Sequence, residues 1–138
     1  GPARLGLLDF QDATAAHPVY DLVSLLQDAR REVSAATEAR EGARFAAALG
    51  IEPDRFSALY ALIGAQRALR ILGIFARLCL QGGKAQYVDL IPRTWATLQR
   101  NLAHPALAGL ARAAGALPAP TPEQLERIKA QCGRFPNP

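Results

Sequence analysis

One long helical pattern constrains this chain more than any other feature: residues 53–81, opened by a proline and closed by a pair of glycines. Its apolar side chains surround most of the helix circumference, and a helix of that kind is expected to be buried. Its polar stripe contains Gln66, Arg70, Gly73 and Arg77. Half of all residues are apolar, mostly Ala and Leu, and that balance favours helices over sheet.

The rest of the chain is also mostly helical in pattern. A short apolar strand that ends in an acid is predicted at residues 4–10. Helical patterns follow at residues 20–31, 34–49, 84–103 with a break at Pro92, 104–115 and 121–132. We expect one mostly α domain, residues 1–138, with one N-terminal strand, a tag scar or loop at residues 1–3 and a tail at residues 133–138.

Three of the predicted helices begin at a residue that can cap them. Ser34 is placed to cap the second helix. His104 is placed to cap the helix that starts at the following proline. Thr121 and Gln124, three residues apart, can cap each other at the start of the last helix.

Charge and composition exclude several classes of function. The formal net charge is +4, but the basic residues are spread along the chain without interleaved aromatic residues, so no nucleic acid partner is expected. Charges interrupt every apolar run, so no membrane association is expected. Cys79 and Cys132 have no metal-type spacing and are expected to be reduced thiols. These features predict a cytoplasmic protein.

The sequence also has two features typical of a fragment. It contains no methionine, and its first two residues, Gly-Pro, are what a common tag-removing protease leaves, although a native loop explains them equally. A lone strand cannot satisfy its own backbone, so its partner is expected in sequence further upstream. Without that partner, the edge formed by Leu5, Leu7 and Phe10 is expected to be exposed and to promote self-association.

The chemistry of the chain depends on the acid that ends the predicted strand. Asp9 would be held rigidly at the border of a cleft, and a divalent metal that bridges phosphates needs a fixed, hard oxygen ligand of this kind. Taken alone, this signal is weak, and a surface acid that ends a strand is the favoured interpretation. The run HPVYDLVSLLQDARR, residues 17–31, strengthens the interpretation of Asp9 as a metal ligand.

With that continuation, the chain resembles kinases of the aminoglycoside phosphotransferase family. Residues 64–78 and 87–105 extend the resemblance, which is strongest to the bacterial anomeric sugar kinases that phosphorylate N-acetylmuramate and N-acetylglucosamine in cell-wall recycling. The resemblance implies the helical C-terminal lobe of a protein-kinase-like fold, with ATP and Mg²⁺ as cofactors and a small-molecule sugar as substrate. It implies that Asp9 chelates magnesium against the ATP phosphates and that Asp21 braces the catalytic loop.

The chain departs from the family pattern in one important respect. The catalytic loop, His-x-Asp followed four residues later by Asn, has no match here, and neither does the Gly-rich nucleotide loop with its lysine. No catalytic base is therefore assigned, the missing N-terminal half of the kinase is an expected partner, and the chain alone is expected to be inactive.

Two other functions remain open. One is a kinase of the same superfamily that acts on an aminoglycoside, choline or another small alcohol, although the arginine stripe favours a neutral or anionic sugar. The other is a non-enzymatic helical interaction module, in which Asp9 merely ends a strand.

The substrate candidates are Gln66, Arg67, Arg70 and Asp28. Because an unpaired arginine is costly to bury, the stripe must face water, a cleft or acids. In one interpretation, Arg70 or Arg77 pairs with Asp28 and locks two helices together. In the other, the stripe lines a substrate cleft, and an arginine binds sugar oxygens or an acidic substituent.

Overall fold

The computed structural model describes residues 15–135 of the chain, and helices form all of its regular secondary structure. The six α-helices are α1 (Val19–Leu26), α2 (Ala35–Ala48), α3 (Pro53–Leu80), α4 (Ile91–Leu102), α5 (Ala108–Ala114) and α6 (Pro122–Ala130). Two short 3-10 helices, Ala85–Leu90 and Pro105–Leu107, precede α4 and α5. The mostly helical prediction is confirmed. The predicted strand, its apolar edge and Asp9 lie outside the described residues.

The predicted caps are in place. Ser34 Oγ accepts the Thr37 backbone N–H at 3.2 Å, and His104 Nδ1 accepts the Ala106 N–H at 3.2 Å. Thr121 and the side chain of Gln124 accept each other's backbone N–H at 3.3 and 3.1 Å, the reciprocal capping box that the sequence predicts. The break at Pro92 is also confirmed, because the proline lies in the first turn of α4 after a 3-10 helix.

Helix α1 ends earlier than the sequence pattern predicts. The predicted helix runs to residue 31, but α1 ends at Leu26. Asp28 explains the difference, because its Oδ1 accepts the backbone N–H of Arg30 at 2.9 Å. A side chain that bonds its own backbone two residues on competes with helical hydrogen bonding and favours a turn.

Helix α3 is not buried on all sides, which corrects the prediction made from its apolar circumference. Its most deeply buried residues are mainly small ones on one face, whereas Leu62 is 47% exposed. Small side chains allow α4 to pack closely, and the fully buried Leu98 lies at that contact. The first core cluster joins α3, α4, α5 and the 3-10 helix that precedes α5, and it contains Ala61, Ala65, Ala68, Leu98, Leu102, Leu107 and Ala114.

A second core cluster surrounds the C-terminal half of α3. Phe75, Cys79, Val88 and Ile91 are buried there, and side chains of α6 pack against them. Both cysteines are free thiols, as predicted; Cys79 is buried and Cys132 is partly exposed. The first residues of the predicted tail are attached to α3, because Gly133 N–H donates to the Cys79 carbonyl at 2.9 Å.

By length and composition alone, α3 is also long and apolar enough to span a membrane. Length and composition are weak evidence for a membrane span, because the core helix of a soluble protein has the same features. Two arginines, Arg67 and Arg70, interrupt its apolar sequence near the middle.

Candidate functional site

Tyr20, in the first turn of α1, gathers two of the predicted substrate residues. The Arg67 guanidinium carbon lies 4.6 Å from the centroid of the Tyr20 ring, a cation–π arrangement. Arg70 Nη1 donates a long hydrogen bond, 3.4 Å, to the Tyr20 hydroxyl. Both arginines come from α3, so a single tyrosine fixes two cationic side chains beside the start of α1. We call Tyr20, Arg67 and Arg70 the arginine cluster.

Beside this cluster, a cleft of about 370 Å³ lies between α1, α3 and the 3-10 helix Ala85–Leu90. Arg67 and Asp28, two of the predicted substrate residues, both line it, as do Ser24 and Tyr87. Burial raises the pKa of Asp28, but the backbone N–H and the charge of Arg30 lower it further, so its pKa lies below the ordinary value. Asp28 therefore remains ionised at neutral pH.

The other predicted site residues are more exposed. Gln66 and Arg70 are exposed on α3, as is Arg77 further along the same stripe. Asp21 is exposed in the first turn of α1, where the helix dipole favours an acid. The interpretation in which Asp28 pairs with Arg70 or Arg77 is not supported within the described residues, because the ion pair of Asp28 there is with Arg30, at 3.4 Å.

A second group of polar residues was not predicted from the sequence. Glu38 Oε1 accepts hydrogen bonds from Tyr60 Oη at 2.7 Å, Arg100 Nη2 at 2.9 Å and Gln27 Nε2 at 3.2 Å. The donors come from α3, from α4 and from the residue after α1, so one carboxylate joins four segments of the chain. We call this the Glu38 network, and with Ser57 and His104 it lines a cleft of about 320 Å³.

A half-buried amide pair completes the Glu38 network. Asn101 Nδ2 donates to Gln27 Oε1 at 2.9 Å, and Gln27 Nε2 donates to Asn101 Oδ1 at 3.2 Å. Both pass over Gly64 of α3, where an added Cβ would meet Asn101 Nδ2 at 2.5 Å and Gln27 Oε1 at 2.6 Å. The only sequence signal for this contact is a glycine inside an otherwise good helix, which often marks a close approach.

His104 and Ser57 lie in the same cleft but do not form a nucleophilic pair. Their Nε2 and Oγ atoms are 3.2 Å apart. Because His104 Nδ1 accepts a backbone N–H, the neutral imidazole carries its proton on Nε2 and donates it to the serine. A base that activates a serine must instead accept the serine proton, so this geometry does not support nucleophilic catalysis.

The Glu38 network leads to a prediction about alkaline stability. Burial, followed by the hydrogen bond to the Glu38 carboxylate, raises the pKa of Tyr60 above its ordinary value of about 10. Because the pKa of Tyr60 is higher in the folded chain, its contribution to the free energy of unfolding is complete below about pH 10. That contribution is lost as the pH rises further, since the unfolded chain releases the phenol proton first. We expect Tyr60→Phe to cost about 1 kcal/mol at pH 7 and to lose less stability between pH 9 and 11 than wild type.

Urea unfolding across that pH range measures both effects. Tyr87→Phe is the matched control, because this tyrosine has no hydrogen bond to a carboxylate among the described residues. Identical alkaline losses of stability in wild type and Tyr60→Phe would contradict the assignment.

No group of three or more His, Cys, Asp or Glu residues that could hold a metal ion is found within residues 15–135. A carboxylate such as that of Asp9 has the hard oxygen donors that Mg²⁺ prefers, so the chemistry of this residue fits the ion that the sequence predicts. That residue lies outside the described part of the chain, and its role stays a prediction.

Comparison with known proteins shows which enzymes this chain is similar to. The model of the phosphotransferase enzyme family (APH) matches residues 1–61. An N-acetylmuramate/N-acetylglucosamine kinase of Caulobacter vibrioides is 54% identical over 112 residues, which cover 80% of this chain and 31% of that protein.

Two more distant proteins carry the same description. The relative from Neisseria meningitidis serogroup B is 42% identical over a region that covers 70% of this chain and 31% of that protein. The one from Pseudomonas aeruginosa is 36% identical over a region that covers 82% of this chain and 36% of that protein. The chain thus spans about a third of the length of the curated relatives it matches. Residues 1–61 therefore match the APH phosphotransferase family, and most of the chain is similar to proteins named as kinases.

Proposed function

We propose that this chain is the C-terminal helical lobe of an ATP- and magnesium-dependent kinase that phosphorylates the anomeric hydroxyl of an amino sugar, N-acetylmuramate or N-acetylglucosamine. The observation that carries the proposal is the 54% identity, over most of the chain, to a kinase named for both sugars. Peptidoglycan recycling in the cytoplasm is the process in which such an activity would serve.

Each proposed role rests on a particular residue. Asp9 would hold the magnesium ion, which on binding neutralises charge on the nucleotide phosphates. Asp21, exposed in the first turn of α1, would brace the catalytic loop. Asp28 and Arg67 line one cleft, and Arg70 shares Tyr20 with Arg67, so these residues would contact the sugar. Gln66 remains a substrate candidate on the exposed stripe of α3.

The test is phosphoryl transfer by the full-length protein. We expect either amino sugar, incubated with ATP and Mg²⁺, to yield a sugar phosphate that has lost its reducing end, because the anomeric hydroxyl is the acceptor. Phosphorus NMR and a reducing-sugar assay identify that position. Phosphate on another hydroxyl, or turnover of choline or an aminoglycoside with neither amino sugar accepted, would support the alternative kinase of the same superfamily.

Residues 1–138 alone are expected to turn over no substrate, because the sequence contains no His-x-Asp loop and no nucleotide loop. The proposed activity needs the missing half of the kinase as a partner. Self-association through Leu5, Leu7 and Phe10 is proposed for the isolated chain, and light scattering would measure it. Product formation by the isolated chain above that of its Asp9→Ala variant would contradict the expected inactivity. A non-enzymatic interaction module would be the better description if the full-length protein also lacked transferase activity.

A further inference from the structure

The arginine cluster concentrates positive charge at one place on α3. Arg67 and Arg70 are three residues apart, which makes them neighbours on the helix surface, and Tyr20 holds both. Like charges at this spacing repel each other. None of the ion pairs formed within residues 15–135 includes either arginine. An anion that bound here would relieve the repulsion.

Both guanidinium groups keep donors available for such an anion. The Arg67 guanidinium carbon lies 4.6 Å from the centroid of the Tyr20 ring, and no oxygen acceptor within residues 15–135 takes up one of its N–H groups. Arg70 uses one N–H for the Tyr20 hydroxyl, and a guanidinium has five. The planar fork of an arginine matches the two oxygens of a carboxylate and binds them through parallel hydrogen bonds. The cluster is therefore suited to a carboxylate.

The neighbouring cleft is mixed in character: apolar side chains form most of its wall, and Asp28 and Arg30 line it as an ion pair at 3.4 Å. The Asp28 carboxylate can accept hydrogen bonds from sugar hydroxyls, and the charge of Arg30 is already paired with it, so a substrate carboxylate is better placed at the two arginines of the cluster. Ser24 also lines it, and its hydroxyl donates to the Tyr20 carbonyl at 2.7 Å, which leaves its oxygen as an acceptor. A ligand that fits both regions carries hydroxyls at one end and a carboxylate at the other.

We propose that Arg67 and Arg70 bind the carboxylate of an acidic amino sugar and so determine specificity between the two candidate substrates. The inference rests on the proposed function and adds a substrate class to that site. N-acetylmuramate is N-acetylglucosamine with a lactyl ether on its ring, and the carboxylate of that ether is the group that distinguishes them. The cluster raises affinity for the acidic sugar and does little for the neutral one.

The experiment compares kcat and KM for both sugars in the full-length protein and its Arg67→Gln/Arg70→Gln variant. Loss of charge-assisted hydrogen bonds should raise the KM for N-acetylmuramate by at least about tenfold, with kcat nearly unchanged. The KM for N-acetylglucosamine should change less than about threefold. Rising salt should raise the wild-type KM for the acidic sugar alone, and the variant should lose that dependence.

Matched variants separate recognition from folding. Arg77→Gln removes a charge from the same exposed stripe and should leave both KM values unchanged. The single Arg70→Gln change affects an exposed side chain, and Arg70→Lys, which keeps the charge but not the fork, should restore part of the affinity. Melting temperatures of all variants verify that they fold.

The outcomes distinguish this inference from the proposed function. A wild-type protein that phosphorylates neither sugar refutes the proposed function, and the inference with it. A wild type that phosphorylates both, combined with equal losses for the two sugars in folded arginine variants, leaves the function intact and overturns the inference. In that case, the arginines stabilise the structure around α1 and do not recognise the substrate carboxylate.

Discussion

Gly64→Ala is expected to destabilise the full-length protein by about 2–4 kcal/mol, although alanine is the better helix former. The added Cβ would lie 2.5 Å from Asn101 Nδ2 and 2.8 Å from Asn101 Cγ, inside any permitted contact. The amide pair of Asn101 and Gln27 must therefore separate. Asn101 is only 5% exposed, so its freed polar atoms cannot all reach water, and each costs about 1–3 kcal/mol. The helix propensity gained, about 1 kcal/mol, offsets only part of this loss.

The same helix supplies the control. An added Cβ at Gly73 meets nothing within 4 Å, so Gly73→Ala should stabilise the protein by about 0.5–1 kcal/mol. The melting temperature and the urea midpoint should therefore fall for Gly64→Ala and rise for Gly73→Ala, although the two identical substitutions are only nine positions apart in the sequence. Equal effects at the two positions would show that the amide pair does not constrain α3.

The amide pair also has a functional consequence. Gln27 follows α1 directly, and Tyr20 of α1 holds both arginines of the cluster. A displaced α1 should loosen the cluster, so Gly64→Ala should raise the KM for the acidic sugar more than that for the neutral one. Kinetics at a temperature where the variant is still folded would measure this effect.

Asp9→Asn should lower kcat/KM of the full-length protein by at least about 10³-fold, the largest effect on activity that we expect. Asparagine keeps the shape of the side chain but removes the negative charge that a magnesium ion requires. Magnesium should strengthen ATP binding by wild type and have little effect on the variant, which calorimetry measures without any turnover.

Asp12→Asn is the matched control for Asp9, since it removes an acid three positions further along and has no proposed role. It should keep kcat/KM within about threefold of wild type. If Asp9→Asn retained kcat/KM within tenfold, or kept the wild-type magnesium dependence of ATP binding, the proposed ligand would be wrong. That result would also remove the main reason to assign phosphoryl transfer to this chain's own residues.

Much of the local structure could be predicted because its causes are local. Periodic apolar residues and the proline at the start of α3 identify the helix, and Ser34 and Thr121 cap helices through bonds to residues three positions away. The end of α1 was missed although its cause is equally local. The turn at Asp28 competes with a helical pattern that continues through residue 31, and periodicity alone does not rank the two.

The candidate site was predictable only in part. The polar residues of α3 and the acids of the first predicted helix pointed to Arg67, Arg70 and Asp28, but no sequence pattern predicted that Tyr20 contacts both arginines. Asp28 shows the limit of this reasoning. One interpretation paired this residue with an arginine of α3 across the helix interface, yet its carboxylate bonds the side chain two residues away.

By itself, the sequence determined the helical class, most helix starts and the resemblance to a kinase family, because periodicity, caps and motifs act over short stretches of chain. The tertiary structure alone decided which polar side chains meet. Glu38 and Arg100 are 62 positions apart, and Gln27 and Asn101 are 74 apart, so their hydrogen bonds exist only where separate segments of the chain converge. The physical reason is close packing: a buried polar group must find a partner, and the fold determines which partner is within reach.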